Sequence, residues 1–217
     1  MVKRKAAAIM IFLAGAFLFL YPNISEFIAD TEQEELLENW DTTEEAQAQE
    51  TARKSYGELN RVFEREREDT SEQQSDQQEE QTEAESSQTI GVLRIPVIAS
   101  ELPIVEGATE ENLRVAAGHL AGTSFLEPEG NTAIAAHRSH TEGRMFNRLD
   151  ELESGDEFII EKDTGQKTFT IFNKTVVSPS DTSVLSQETN GESVVTLITC
   201  TPMKNPTHRL IVQGKYE

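Results

Sequence analysis

Cysteine is almost absent from this sequence of 217 residues, which contains a single one, Cys200. One cysteine cannot form an internal disulfide, so the fold must depend on packing rather than on crosslinks. The thiol therefore needs an explanation of its own. It ends the apolar run VVTLITC and stands nine residues before Arg209.

Basic residues are also scarce, because 19 Lys and Arg face 39 Asp and Glu, for a net charge of −20. Nucleic-acid-binding proteins typically carry a basic stripe interleaved with aromatic residues, and this sequence has none. We therefore expect no nucleic acid among the partners. Residues 31–89 hold 19 acidic and 5 basic residues, so much of the charge lies outside any probable core.

Long apolar runs are missing except near the N-terminus, where three basic residues precede an apolar run at residues 6–21. Extended to residue 28, the run reaches about 34 Å as a helix, enough for a tilted membrane span. Ala14 and Ala16 have the spacing of a signal-peptide cleavage site, which is the alternative. Cleavage there would leave an apolar stub, so we favour an uncleaved anchor over residues 1–28. The positive-inside rule then predicts a single-pass protein of the cell membrane with its remaining residues outside the cell.

Residues 29–89 lack proline and are rich in Glu, Gln, Ser and Thr, which predicts an acidic stalk that is largely disordered or partly helical. Within it, YGELNRVFERERE predicts a short helix with Leu59, Val62 and Phe63 on one face. Two interpretations remain open. The helix is either part of a solvated spacer or a segment that docks on the following domain or on a partner.

Residues 90–217 change to short β-branched and aromatic runs separated by turn residues, which predicts strands. The predicted strands are IGVLRI, ELPIV, TAIAA, EFIIE, KTFTIFNKTVV, SVVTLITC and HRLIVQG, with DTG at 163–165 as a hairpin turn. Two short helices are expected, EENLRVAA capped by Thr109, and GRMFNRLDELESG with Met145, Leu149 and Leu152 on one stripe. Seven or eight strands with two short helices predict a mainly β fold, a closed or nearly closed barrel.

The spacing between Cys200 and Arg209 carries a structural prediction. If residues 201–208 form the loop, the two residues stand opposite each other in an antiparallel pair, with Cβ atoms about 5 Å apart. A slip of one residue would send them to opposite faces. His137 ends another predicted buried strand, and a cysteine with a sequence-distant histidine is typical of a catalytic pair. The alternative is that Cys200 is a small buried hydrophobe.

These residues resemble a known family. TLITC followed by Arg209, together with AAHRSH around His137, IGVLRIP and AAGHLAGTS, is similar to the sortases, membrane-anchored cysteine transpeptidases of Gram-positive cell surfaces. The resemblance covers residues 90–217 and implies a closed eight-stranded sortase-type barrel as the catalytic domain. It implies that Cys200 is the nucleophile of a thioacyl intermediate, that His137 is the general acid and base, and that Arg209 holds the substrate carbonyl or oxyanion.

The resemblance also implies substrates and partners. A sortase would cleave an LPxTG-like sorting motif near the C-terminus of secreted proteins and pass the acyl group to a peptidoglycan precursor or another amine, without a cofactor. The single N-terminal anchor and the absence of an Asp-Pro lid dipeptide favour class D, with a lidless, pilin-polymerising class C enzyme as the alternative. A non-catalytic adhesion module and an L,D-transpeptidase are further alternatives, although the latter is expected to carry His-Gly-Cys where this sequence has Thr-Cys.

The other histidines have simpler explanations. His119 is either a structural hydrogen-bonding residue or part of the rim of the site, while His140 is predicted to be solvated and His208 to point away from Arg209. A zinc site from His119, His137, His140 and Cys200 matches no common ligand spacing. The acidic residues of ATEEN and DELESGDE suggest calcium, but Glu110 and Glu111 already fit a helix N-terminus. We therefore expect no metal.

Overall fold

The computed structural model describes residues 46–65, 89–141 and 143–216. Within these residues, eight strands close into a barrel in the order β1-β2-β3-β4-β7-β8-β6-β5. The strands are β1 (Thr89–Ile95), β2 (Ser100–Glu106), β3 (Ala117–His119), β4 (Gly130–Ala135), β5 (Glu157–Lys162), β6 (Gly165–Val177), β7 (Ser193–Thr201) and β8 (His208–Tyr216). The predicted closed barrel is confirmed.

Alternation of side chains along the strands fills the barrel. On β7, Val195 and Leu197 face the interior, where they join the stacked rings of Phe158 and Phe169. Thr196, which lies between these two residues in sequence, and Ile198, which follows Leu197, face outward. Outward-facing side chains are nevertheless buried on this strand, because a helix covers the barrel there.

The predicted strands are confirmed, and the DTG hairpin brings Lys162 opposite Gly165. The strand that the sequence did not reveal is β3, which pairs in parallel with β2 and antiparallel with β4. Its residues Ala117–His119 are small and follow directly on a helical pattern. Pairing with distant strands, and not local propensity, makes this segment extended.

The first predicted short helix exists but is shorter than expected. Helix α2 spans Glu110–Leu113, and Thr109 caps it by accepting a hydrogen bond from Asn112 N at 3.3 Å. The cap prediction is confirmed. The extension of the helix to Ala117 is wrong, since that residue already belongs to β3.

The second predicted helix is replaced by turns and a 3-10 helix, Leu149–Glu151. Met145 has a positive φ of 49°, which an α-helix does not accommodate. Its neighbour Phe146 donates its backbone N–H to His137 O at 3.0 Å, outside any helical pattern. The predicted apolar stripe is still buried in the core, so its burial was predicted correctly while its conformation was not.

Helix α1 covers the described residues 46–65. Ala52, Tyr56, Leu59 and Phe63 lie on one face at helical spacing and are at most 3% exposed. They pack on the outer face of the barrel, against Ala133, Ala135, Ile198 and Ile211. Of the two interpretations of this segment, docking on the following domain is the one that the structure shows for residues 48–65.

The predicted anchor, residues 1–28, lies outside the described residues. In residues 46–65, 89–141 and 143–216, no helix is both long and apolar enough to cross a membrane.

Candidate active site

Strands β7 and β8 bring Cys200 and Arg209 together. The strands are antiparallel, and Cys200 pairs directly with Arg209, flanked by the Thr199–Leu210 and Thr201–His208 pairs. The predicted register is therefore confirmed. Residues directly opposite each other in an antiparallel pair project to the same face of the sheet. Here it is the outer face, because Cys200 and Ile211 both belong to the cluster beneath α1.

The exit of β4 brings His137 to the same place. Strands β4 and β7 are parallel, with Ala135 beside Ile198. Two hydrogen bonds continue this register past the end of β4, from Ala136 N to Ile198 O at 3.2 Å and from Thr199 Oγ1 to Ala136 O at 2.8 Å. Two residues further along each strand, His137 stands beside Cys200. Since neighbouring strands are about 4.8 Å apart, His137, Cys200 and Arg209 form one row across three strands.

Helix α1 lies over this row. Only 6% of Cys200, 9% of His137 and 2% of Arg209 is exposed. The Phe63 ring stands 5.4 Å from the His137 ring, centroid to centroid, and 5.1 Å from Arg209 Cζ. Docked α1 therefore covers most of the row.

The guanidinium of Arg209 is held by α1. Its Nε donates to Asn60 Oδ1 at 2.8 Å, and its Nη1 donates to the backbone oxygen of His208 at 3.1 Å. Asn60 Nδ2 donates to Pro179 O at 2.6 Å, which fixes the orientation of the amide. Arg209 Nη2 is buried and has no hydrogen-bond partner among the described residues. The arginine thus already donates to two oxygens, one of the Asn60 amide and one of the backbone, and Nη2 is a further donor.

Tyr56 of α1 belongs to the same environment. Burial raises the pKa of its hydroxyl from 10.0 to about 12, against the opposing influence of the Arg209 cation. The nearby Asp181 and Cys200 act in the same direction as burial. Its hydroxyl is therefore neutral at ordinary pH.

A cleft of about 510 Å³ opens beside the row and reaches both His137 and Cys200. Its walls come from the loop after β4, from α2 and its C-terminal neighbour, from the β7–β8 loop and from α1. They comprise Arg138, Ser139, His140, Thr141, Arg144, Met145, Leu113, Arg114, Met203, Pro206 and Phe63. His140 is exposed at this wall, as predicted.

The remaining histidines are not part of the row. His119 is buried and its ring nitrogens lie 2.8 Å from Glu106 Oε2 and 3.0 Å from Thr123 Oγ1, so the structural interpretation is favoured. His208 is exposed and bonds to its neighbour Thr207. In the part of the chain that the structure describes, no three His, Cys, Asp or Glu side chains are grouped as metal ligands.

The row combines groups suited to acyl transfer: a thiol, an imidazole beside it and a guanidinium aimed at an amide oxygen. Sequence reasoning identified these three residues but missed Asn60, which lies on the predicted helix without any local sign of its contact. It also missed Arg138, whose contacts are described below. Only its position next to His137 could have drawn attention to it.

Comparison with known proteins identifies the family. The family model of the sortase domain matches residues 93–217, which is more than half of the chain. The chain belongs to the sortase family. Among curated relatives, this sortase is 33% identical over 134 residues to Sortase D of Bacillus subtilis, and 28% identical over 130 residues to Sortase A of Bacillus anthracis. These matches cover 60% of this chain in both cases, and 65% and 60% of the relatives, so the chain spans less than two thirds of their length.

Solved sortase structures share the fold. The pilus island 1 sortase C2 of group B Streptococcus superposes with a TM-score of 0.57 at 31% identity, over 59% of this chain and 74% of that one. Sortase C-1 of Actinomyces oris gives a TM-score of 0.57 at 32% identity, over 61% of this chain and 76% of that one. The sequence resemblance to sortases is therefore confirmed.

Proposed function

We propose that this protein is a cysteine transpeptidase that cleaves an LPxTG-like sorting motif in secreted proteins and transfers the acyl group to a cell-wall amine. The observation that carries the proposal is the register of β4, β7 and β8, which aligns His137, Cys200 and Arg209 on one face. Residues 1–28 would anchor the enzyme in the cell membrane with its catalytic domain outside, as their charge and length predict.

The reaction follows from this row. The Cys200 thiolate attacks the scissile carbonyl carbon, and Arg209 donates to the oxygen on which negative charge develops. His137, as an imidazolium, gives its proton to the departing amine, and a thioester remains on Cys200. The acceptor amine then attacks the thioester and passes a proton to His137, which restores the starting state. No cofactor takes part.

We infer that helix α1 moves away from the row before a substrate enters, since at most 9% of each of the three groups is exposed beneath it. In the docked state the Asn60 amide oxygen accepts from Arg209 Nε, so this guanidinium donor is already occupied, whereas Nη2 has no partner among the described residues. Docked α1 therefore competes with the substrate for the donors of Arg209. The turnover that we propose includes displacement of α1.

Two subclasses have support. The 33% identity to Sortase D of Bacillus subtilis and the predicted N-terminal anchor favour a class D-like enzyme that modifies the cell wall. The solved structures at 31–32% identity are class C sortases, one of them named for a pilus island, and favour polymerisation of pilins. The acceptor separates them, because a cell-wall enzyme requires an amine of peptidoglycan and a pilin polymerase requires a lysine side chain of another pilin.

Fluorogenic peptides carrying sorting motifs test the proposal with the full-length protein. We expect cleavage by the wild type, none by Cys200→Ala or His137→Ala, and near wild-type cleavage by His208→Ala, a matched control at an exposed histidine. Transfer to a peptidoglycan stem peptide, but not to a pilin-derived lysine peptide, would support class D. The absence of cleavage with all motifs would contradict the function and leave a non-catalytic adhesion module as the explanation, whereas undiminished cleavage by Cys200→Ala would contradict the role of Cys200 as the nucleophile.

A further inference from the structure

Arg138 follows His137 directly and belongs to none of the three groups in the row. Its side chain is only 7% exposed, which is uncommon for an arginine. Burying a guanidinium is costly unless its donors are satisfied, so the contacts of Arg138 indicate what it does.

The three nitrogens of the Arg138 guanidinium each contact a different residue, two of them in one segment. Nη2 lies 2.7 Å from Asp150 Oδ1, Nη1 donates to Thr201 Oγ1 at 3.2 Å, and Nε donates to Asn147 O at a longer 3.4 Å. Because the guanidinium is planar and rigid, these contacts fix its orientation as well as its place. Thr201 is the residue after Cys200, while Asn147 and Asp150 belong to the segment that follows β4.

His137 lies beyond the end of its strand and depends on such contacts. Strand β4 ends at Ala135, and the last ladder contacts involve Ala136. Past that point, the backbone oxygen of His137 accepts from Phe146 N at 3.0 Å, and the next residue is Arg138. The bond from Arg138 to Thr201 therefore continues the β4–β7 alignment by one residue beyond the His137–Cys200 level.

We propose that Arg138 is a positioning residue, which holds His137 at reacting distance from Cys200 by tying the exits of β4 and β7 to the segment around Asn147 and Asp150. This role rests on the proposed function. Stability alone explains the contacts poorly, because the Asp150 side chain is 52% exposed and ion pairs with exposed partners contribute little. The contact that matters for the reaction is the one with Thr201, since it connects the residues next to His137 and Cys200.

Three variants separate positioning from folding. Arg138→Lys keeps a charge for Asp150 but cannot reach Thr201 and Asn147 with the same planar fork. Thr201→Val removes one hydroxyl and nothing else from the β7 side. Arg148→Ala is the matched control, a nearby arginine that bonds Glu151 at 2.7 Å and Ile98 O at 3.1 Å, away from the row.

The first measurement is steady-state cleavage of a sorting peptide by the full-length variants. A misplacement of about 1 Å costs up to roughly 100-fold, so we expect kcat of Arg138→Lys to fall roughly 10- to 100-fold and that of Thr201→Val several-fold. KM should change less than kcat in both, because Cys200, His137 and Arg209 are unaltered. Arg148→Ala should keep its kcat. Thr201→Val with wild-type kcat, or losses in kcat that match those of Arg148→Ala, would overturn the positioning role.

The second measurement does not depend on turnover. The chain has four histidines, whose ring resonances can be assigned by substitution in NMR spectra of the histidine-labelled protein. Arg138→Lys and Thr201→Val should move or broaden the His137 resonances and leave those of His119, which bonds Glu106 and Thr123 away from the row, in place. Unchanged His137 resonances would overturn the inference even if the enzyme is active. Shifted resonances in a protein that cleaves no sorting peptide would instead contradict the proposed function alone.

Discussion

The contact between Asn60 and Arg209 offers a direct test of how α1 controls access to Cys200. Asn60→Ala removes the hydrogen bond to Arg209 Nε and the bond to Pro179 O, and it leaves the apolar face of α1 unchanged. A hydrogen bond to a charged group contributes about 1.5–3 kcal/mol when its loss leaves a buried donor unpaired. Since 1.4 kcal/mol corresponds to a factor of ten, the undocked population should rise roughly 10- to 100-fold.

The assay is the rate at which a small alkylating reagent modifies Cys200, followed by intact mass. Cys200 is the only cysteine of the chain, so each adduct reports on this site. Because only 6% of Cys200 is exposed while α1 is docked, we expect alkylation to occur mainly in the undocked state, at a rate proportional to the undocked population when docking is fast relative to alkylation. Asn60→Ala should therefore react roughly 10- to 100-fold faster than the wild type.

The matched control lies on the same helix. Glu58 pairs with Arg61 at 3.8 Å with both side chains about two-thirds exposed, and Glu58→Ala should alter the rate by no more than about twofold. In denaturing urea all variants should react equally, since the thiol is then open in each. Equal rates for Asn60→Ala and Glu58→Ala under native conditions would refute the claim that the Asn60 contact holds α1 over the row.

Three further predictions concern α1 and Arg209. In Gly57→Ala, the added Cβ meets no atom within 4 Å. A free helix of this length is marginal in water and unfolds when it leaves the barrel, so the substitution should stabilise docked, helical α1 by about 0.5–1 kcal/mol over the undocked state. Alkylation of Cys200 should then slow roughly two- to fivefold, and an unchanged rate would show that α1 stays helical when undocked. Burial raises the pKa of Tyr56 from 10.0 to about 12, so the hydroxyl ionises at lower pH in the undocked state than in the docked state. Docking should therefore weaken as the pH rises from 10 to 12. The alkylation rate of the wild type divided by that of Tyr56→Phe should increase over this pH range, and a constant ratio would contradict the prediction. Arg209→Lys should lower kcat/KM for a sorting peptide roughly 100-fold, because an ammonium cannot replace the planar donors of the guanidinium. A loss below about threefold would exclude that the guanidinium stabilises the developing negative charge.

The strands could be predicted from sequence because their information is local. Alternating β-branched residues, and the Asp-Thr-Gly turn that sets Lys162 opposite Gly165, are sufficient for β5 and β6. The spacing of Cys200 and Arg209 is also local, because a short loop between two strands determines their register. Strand β3 could not be predicted, since its three residues become extended through pairing with strands that are distant in sequence.

The three reactive residues of the candidate site could be predicted from sequence, but the docking of α1 over them could not. Tyr56, Leu59 and Phe63 have the same spacing in a solvated helix as in one that is docked, so periodicity alone does not say what they contact. Likewise, nothing local to Asn60 indicates that Arg209, 149 positions away, is its partner. Both depend on tertiary contacts that single-sequence patterns do not contain.

Intact mass spectrometry of the full-length protein, quenched in acid during reaction with a sorting-motif peptide, tests the central claim most directly. We predict a mass increase equal to the acyl fragment N-terminal to the cleaved bond, carried by the single cysteine and absent from Cys200→Ala. The adduct should disappear when an acceptor amine is added, as transpeptidation product forms. Peptide cleavage without an adduct, together with cleavage by Cys200→Ala, would contradict the account.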